Sequence, residues 1–171
     1  CTNIGVNEVV LTVTDASGNK SSCTATVNVV GEIPTCSITS VPTSSVFTGG
    51  VSTNLYFGYG AQSTKLQVNA PLSGAPYTYS WTGVGLSSST SGNPIFTPTA
   101  AGSYNFVVLV TNKYGCKTSC SITICVRDVR VPGTNGNKVY ICHVPPGNAG
   151  NPQTLSISVN AVPSHLGLHA D

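Results

Sequence analysis

The sequence predicts an all-β protein, and three observations carry that expectation. Short runs rich in Val, Ile, Leu and Thr recur from end to end, several alternating apolar with polar residues at the period of a pleated strand. Clusters of Gly, Pro, Ser and Asn separate these runs at the close spacing of a β-sandwich. Between residues 35 and 127 no stretch sustains a helical 3.6-residue period. Charge is scarce as well: seven Lys or Arg and five Asp or Glu make up 7% of 171 residues, against about 25% in an average domain. Ser, Thr, Asn and Gly supply the polar surface instead, as in many extracellular β proteins. The near-neutral balance excludes a nucleic-acid binder, which needs a concentrated basic face.

The elements are expected as follows. Residues 8–14 and 22–30 read as two strands, and the Asp15-Ala-Ser-Gly-Asn-Lys20 cluster between them as the turn of a hairpin. A lone hairpin is marginally stable at best. Residues 1–31 are therefore expected to be the last two strands of a truncated sandwich, completed by upstream sequence or by a neighbouring subunit that donates strands. Opening at Cys1 in mid-pattern, without a signal peptide, leads to the same expectation of a true N-terminus further upstream. After a linker at 31–34, the second module is assigned to 32–131. Its strands are expected at 35–40, 45–48, 53–58, 63–69, 77–82, 94–97, 103–111 and 117–126. A Pro/Gly/Asn linker opens a small last module, 132–171, with strands at 138–143 and 154–159. Its helix is expected at 160–169, with Asn160 as N-cap and Pro163 in the first turn.

Three segments resemble known modules. Tyr77-Thr-Tyr-Ser-Trp81, Asn93-Pro-Ile-Phe-Thr-Pro98, Ala101-Gly-Ser-Tyr104 and Val108-Leu-Val-Thr-Asn-Lys-Tyr-Gly115 together resemble PKD-like repeats, which are Ig-like sandwiches of bacterial surface proteins. The resemblance implies that Trp81 lies inward between the sheets and that Tyr104 is a corner residue. Residues 5–30, with their Val-Thr-Asp-x-x-Gly-Asn hairpin, look like the end of a hyalin-repeat or related Ig-like module. The tail carries Lys138-Val-Tyr-Ile-Cys-His143, Pro145-Pro-Gly-Asn148, Thr154-Leu-Ser-Ile-Ser-Val-Asn-Ala-Val162 and His165-Leu-x-x-His-x-Asp171. It resembles a short module near the C-termini of large Bacteroidota surface proteins, in which a further Cys commonly follows the last Asp. That resemblance implies export by the type IX system, anchoring at or release from the cell surface, and no enzymatic activity.

Seven cysteines and no Met fit an oxidising compartment. The odd count leaves one that is a free thiol, a metal ligand, or half of a bridge to a partner outside the fragment. Cys1 and Cys23 are expected to pair within the first module. Cys36 is expected to pair with Cys116, Cys120 or Cys125, of which Cys116 and Cys120 share strand parity. A second bridge would join the remaining two or reach Cys142. No Cys-x-x-Cys redox motif occurs, and Cys142-His143 lacks the preceding Cys of a haem-attachment site.

All three histidines fall in the last 29 residues. His165 and His169 stand four apart on the expected helix, so their rings share a face. With His143 and Asp171 they form a candidate metal site suited to Zn²⁺, with Cu²⁺ or Ni²⁺ as alternatives. The competing reading makes them surface and helix-end residues favoured by the helix dipole. A structural ion is expected rather than a catalytic one, because the two glutamates, Glu8 and Glu32, belong to the first module and its linker. Asp15, Ser17 and Asn19 offer a weaker Ca²⁺ site, for which an Asx turn is the preferred account. Tyr56, Tyr59, Tyr77 and Tyr79 suggest a sugar-stacking platform or half-buried sandwich residues. Ser164 beside His165 lacks an orienting third group, so no enzyme is expected.

These expectations converge on a structural or adhesive module at the C-terminal end of a long cell-surface adhesin, stalk or filament. The alternative is a carbohydrate-binding accessory module of a secreted polysaccharide-degrading enzyme. Expected partners are other modules of the same chain, neighbouring subunits, or surface glycans, with no nucleic acid. No apolar run is long enough to span a bilayer.

Overall fold

A computed structural model describes residues 1–44 and 51–168. The chain is all-β, and among the described residues one α-helix interrupts the strands. The strand expected at 45–48 lies outside the described residues.

Strands β1 (Gly5–Thr14) and β2 (Lys20–Val29) form a two-stranded antiparallel sheet, in register from Gly5 opposite Val29 to Thr14 opposite Lys20. An Asx turn closes it. Asp15 Oδ1 accepts from the backbone N–H groups of Ser17 and Asn19, both at 2.9 Å, and Oδ2 accepts from the Asn19 amide at 2.8 Å.

The sandwich consists of two sheets. One has the order β3 (Ser37–Pro42), β5 (Thr64–Asn69), β7 (Ile95–Phe96). The other has the order β4 (Asn54–Phe57), β9 (Lys117–Asp128), β8 (Gly102–Thr111), β6 (Thr78–Thr82), with β4 parallel to β9. Period-2 alternation builds the core: Phe106, Val108 and Val110 of β8 are buried, while Asn105, Val107 and Leu109, which alternate with them, are exposed. Leu66 and Phe96 face them from the other sheet, and the Phe96 and Phe106 rings meet edge to face at 4.7 Å. Trp81 is buried and its indole N–H donates to the Ser91 carbonyl at 2.8 Å. The Tyr104 hydroxyl reaches back to the Ala100 carbonyl at 2.8 Å, the corner geometry expected of it.

One cysteine pairing falls within the expected set and one does not. Cys36 bridges to Cys120, whose parity on β9 matches the inward Ile122 and Ile124. Cys1 bridges to Cys116, not to Cys23. The hairpin register is the reason. Cys1 precedes the Gly5–Val29 end, whereas Cys23 lies opposite Leu11. Six strand residues separate those levels, roughly 20 Å, while a disulfide needs Cα atoms within about 7 Å. Cys23, Cys125 and Cys142 are free thiols, so no second bridge reaches Cys142.

The Cys1–Cys116 bridge and a hydrogen bond from Asn112 to the linker fasten the hairpin's base to the sandwich. Ile4 lies against Gly31, where an added Cβ would meet its Cγ1 at 3.1 Å. Asn112, buried after β8, donates to the Glu32 carbonyl at 2.6 Å and accepts from the N–H groups of Tyr114 and Cys116.

The last segment forms an antiparallel hairpin of β10 (Lys138–His143) and β11 (Gln153–Ser158). A 3₁₀ turn (Val159–Ala161) then leads into α1 (Val162–Leu168). The capping residue is Ser158 rather than Asn160: it stays extended, and its hydroxyl accepts from the Asn160 N–H at 3.3 Å. Pro163 falls in the first turn of α1, where a missing N–H is harmless. Strand β10 runs against the segment that follows β9: Tyr140 N–H donates to Val129 at 2.7 Å and Val131 N–H to Lys138 at 3.0 Å.

Candidate functional site

Three places emerge where chemistry-bearing or unsatisfied groups gather. The first is the β1–β2 hairpin. Directly paired residues share a face, so its register sorts the side chains into two sets. One face carries Val9, Leu11, Val13, Ala25, Val27, Val29 and Cys23 together with the polar Asn7 and Ser21, and no charged residue among them. The opposite face carries Glu8, Thr12, Thr14, Lys20, Ser22, Thr24 and Thr26 around Val6 and Val10. The apolar face has the composition of a sandwich core. Yet Val9, Leu11, Val13, Val27 and Val29 are between 39% and 61% exposed, and the Cys23 thiol among them is exposed too. Among the described residues, neither outer edge of this two-stranded sheet has a neighbouring strand.

The second place is the terminal segment. His143 at the end of β10 and His165 on α1 stand edge to face with 5.7 Å between ring centroids. His169 and Asp171, the other two expected ligands, lie outside the described residues. Among the described residues no group of three or more His, Cys, Asp or Glu converges as a metal cluster. Asp15, Ser17 and Asn19 form the Asx turn already described. Hydrogen bonds to the Asp15 carboxylate, led by the Asn19 side chain, hold its pKa below the ordinary value.

The third place is a cleft of about 350 Å³ between the sandwich and the terminal hairpin. Tyr56, Tyr59 and Arg127 line one side, and Tyr140, Cys142 and Leu166 the other. The four tyrosines, read as a sugar platform or as half-buried sandwich residues, therefore separate. Tyr77 and Tyr79 share the parity of Trp81 on and beside β6 and pack against the core. The Tyr77 hydroxyl donates to the Pro71 carbonyl at 2.6 Å, and the Tyr79 ring lies over Gly92. Parity was the available signal, since an inward Trp81 turns Tyr79 and Tyr77 inward at period 2. Tyr140 joins Tyr56 and Tyr59 instead. No local pattern in the sequence points to it, because only the docking of β10 brings it there.

Next to the cleft, Arg130 grips Asp128 through Nε and Nη2 at 2.8 and 2.7 Å. That hydrogen-bonded guanidinium holds the Asp128 carboxyl down at about 2, from an ordinary 3.8. The Arg130 guanidinium also lies 5.2 Å from the Phe57 ring centroid.

No family model matches the chain, and no curated protein matches it. Among solved structures it is similar to the solution structure of the PKD domain from the KIAA 1837 protein. The two are 18% identical over 47% of this chain and 84% of that one, with a TM-score of 0.37.

Proposed function

We propose that this chain is a structural module of an extracellular protein, a stalk, filament or adhesin segment, that assembles through the apolar face of its first hairpin. The exposed Val9–Leu11–Val27 face carries the reading, because exposed apolar sheet faces with open edges mark association surfaces. Two disulfides support an extracellular setting. Among the described residues no helix is long and apolar enough to cross a membrane.

The size of the face indicates what covers it. Two ten-residue strands present roughly 300 Å² per face. Two such hairpins packed together would bury about 600 Å², well short of the about 1,200 Å² of a stable interface. The occupant is therefore a larger set of β-strands from outside residues 1–171, supplying a facing apolar sheet and pairing the open edges. Sedimentation velocity and binding of an apolar dye test this on the 171-residue chain beside a Val9→Thr/Leu11→Thr/Val27→Thr variant. The parent should bind dye and associate weakly as concentration rises, and the variant should do neither while its sandwich melts unchanged. A parent chain that stays monomeric and binds no dye would rule out the reading.

A structural Zn²⁺ or Cu²⁺ at His143 and His165, completed by His169 and Asp171, belongs to the same proposal, supported by the adjacency of the two rings. Near-stoichiometric metal that disappears in His165→Ala is the expected elemental analysis. Metal absent from the parent chain would remove the site.

A further inference from the structure

The cleft beside β10 is independent of the hairpin and of the histidines, and its lining has a chemistry of its own. Its rim is fixed by backbone. Tyr56 stands opposite Arg127 in the parallel β4–β9 register, so the ring and the guanidinium are cross-strand neighbours. The chain turns back at Phe57-Gly58, and Tyr59 N–H returns to the Tyr56 carbonyl at 3.3 Å. The Gln62 side-chain amide then donates to the carbonyls of Tyr56, Tyr59 and Gly60 at 2.9, 3.3 and 3.1 Å, locking the turn from below. Gly58 is required there: its φ is +103°, and a Cβ would meet Arg130 Cγ at 2.6 Å and Val139 Cγ1 at 3.2 Å. Tyr140 closes the far side, fixed by its own N–H bond to Val129.

Charge then selects the ligand. Asp128, the carboxylate next to Arg127 in sequence, is held by Arg130. Arg127 is exposed and, among the described residues, makes no ion pair. Three phenol rings around one uncompensated guanidinium suit a molecule with apolar ring faces, a hydroxylated rim and a carboxylate. We propose that the cleft binds an acidic saccharide, its pyranose faces against Tyr56, Tyr59 and Tyr140 and its carboxylate on Arg127. The guanidinium fork matches a carboxylate with two parallel N–H···O bonds. A volume of about 350 Å³ falls at the small end of ligand pockets, about 300–1,000 Å³, and fits a short segment of glycan better than a folded partner.

The test is calorimetry on the whole chain. The probes are oligosaccharides of galacturonate, glucuronate and mannuronate and a lactose capped with N-acetylneuraminate, beside cellotriose, maltotriose and lactose. At least one acidic probe should bind about tenfold or more tightly than its neutral counterpart. Arg127→Gln should lose about that factor, and Tyr140→Ser should weaken binding while both variants melt as the parent does. Both positions are exposed, so loss of fold would not mimic loss of binding. The proposal is overturned if no acidic probe binds, if neutral and acidic probes bind alike, or if Arg127→Gln binds undiminished.

Discussion

Asn112 illustrates how much one buried side chain can decide. It holds the linker through Glu32 and the β8–β9 turn through Tyr114 and Cys116. Asn112→Ala strands three backbone groups and should cost about 2–3 kcal/mol by denaturant unfolding. Asn112→Asp keeps the acceptor but loses the donor to Glu32, so it should fall between parent and alanine. The Cys36–Cys120 bridge closes a separation of 84 residues. Replacing both by Ala should lower stability by about 2–4 kcal/mol. The Asp128–Arg130 pair gives a pH signature. Its carboxyl titrates at about 2 in the folded chain against an ordinary 3.8. The stabilisation is therefore present above about pH 4 and is lost as pH falls toward 2. Both side chains are more than a third exposed, so solvent and salt keep the effect small. Melting temperature against pH should drop more steeply over this window in the parent than in Asp128→Asn; parallel curves would refute the contribution. At this scale the sequence was readable where the signal is local. The roles of Trp81 and Tyr104 follow from the resemblance to PKD-like repeats, whose landmarks lie within a few residues of them. The pairing of Cys1 has no such landmark, because its partner 115 residues on depends on a hairpin register that no local pattern specifies.

Among the elements, strands were legible and their docking was not. Alternation in β8 and β9 states which residues face inward, and the strand expected at 103–111 is found as Gly102–Thr111. The residues that dock β10 on the sandwich gave no comparable signal. Gly58 reads as an ordinary turn glycine, yet its missing Cβ is what lets Arg130 and Val139 approach. Gly58→Ala, with both a positive φ and a collision, should cost about 1–3 kcal/mol and loosen β10 from the Val129–Val131 segment. Faster amide exchange at Tyr140 would report that loosening, and unchanged protection there would contradict it. The helix start shifted for a similar reason. Ser158 stays extended and caps a 3₁₀ turn, so Asn160 lies inside that turn and α1 begins only at Val162.

Across the whole molecule, the described residues build one two-sheet sandwich and, before it, a hairpin of two strands. The sandwich has two facing sheets, a buried aromatic centre and an inter-sheet disulfide. The hairpin has a Val- and Leu-rich face left exposed among the described residues and an exposed thiol, Cys23, in its middle. An isolated two-stranded hairpin gains little from burial, so its stability should depend on whatever covers that face. The most direct test is residue-resolved amide hydrogen exchange on the dilute, monomeric chain, comparing β1 and β2 with β8 and β9. Incomplete assembly predicts that the hairpin amides exchange orders of magnitude faster than those of β8 and β9, although their ladders are equally regular. Equal protection in the two ladders would mean that the hairpin is stable alone, and would contradict the assembly it is proposed to serve.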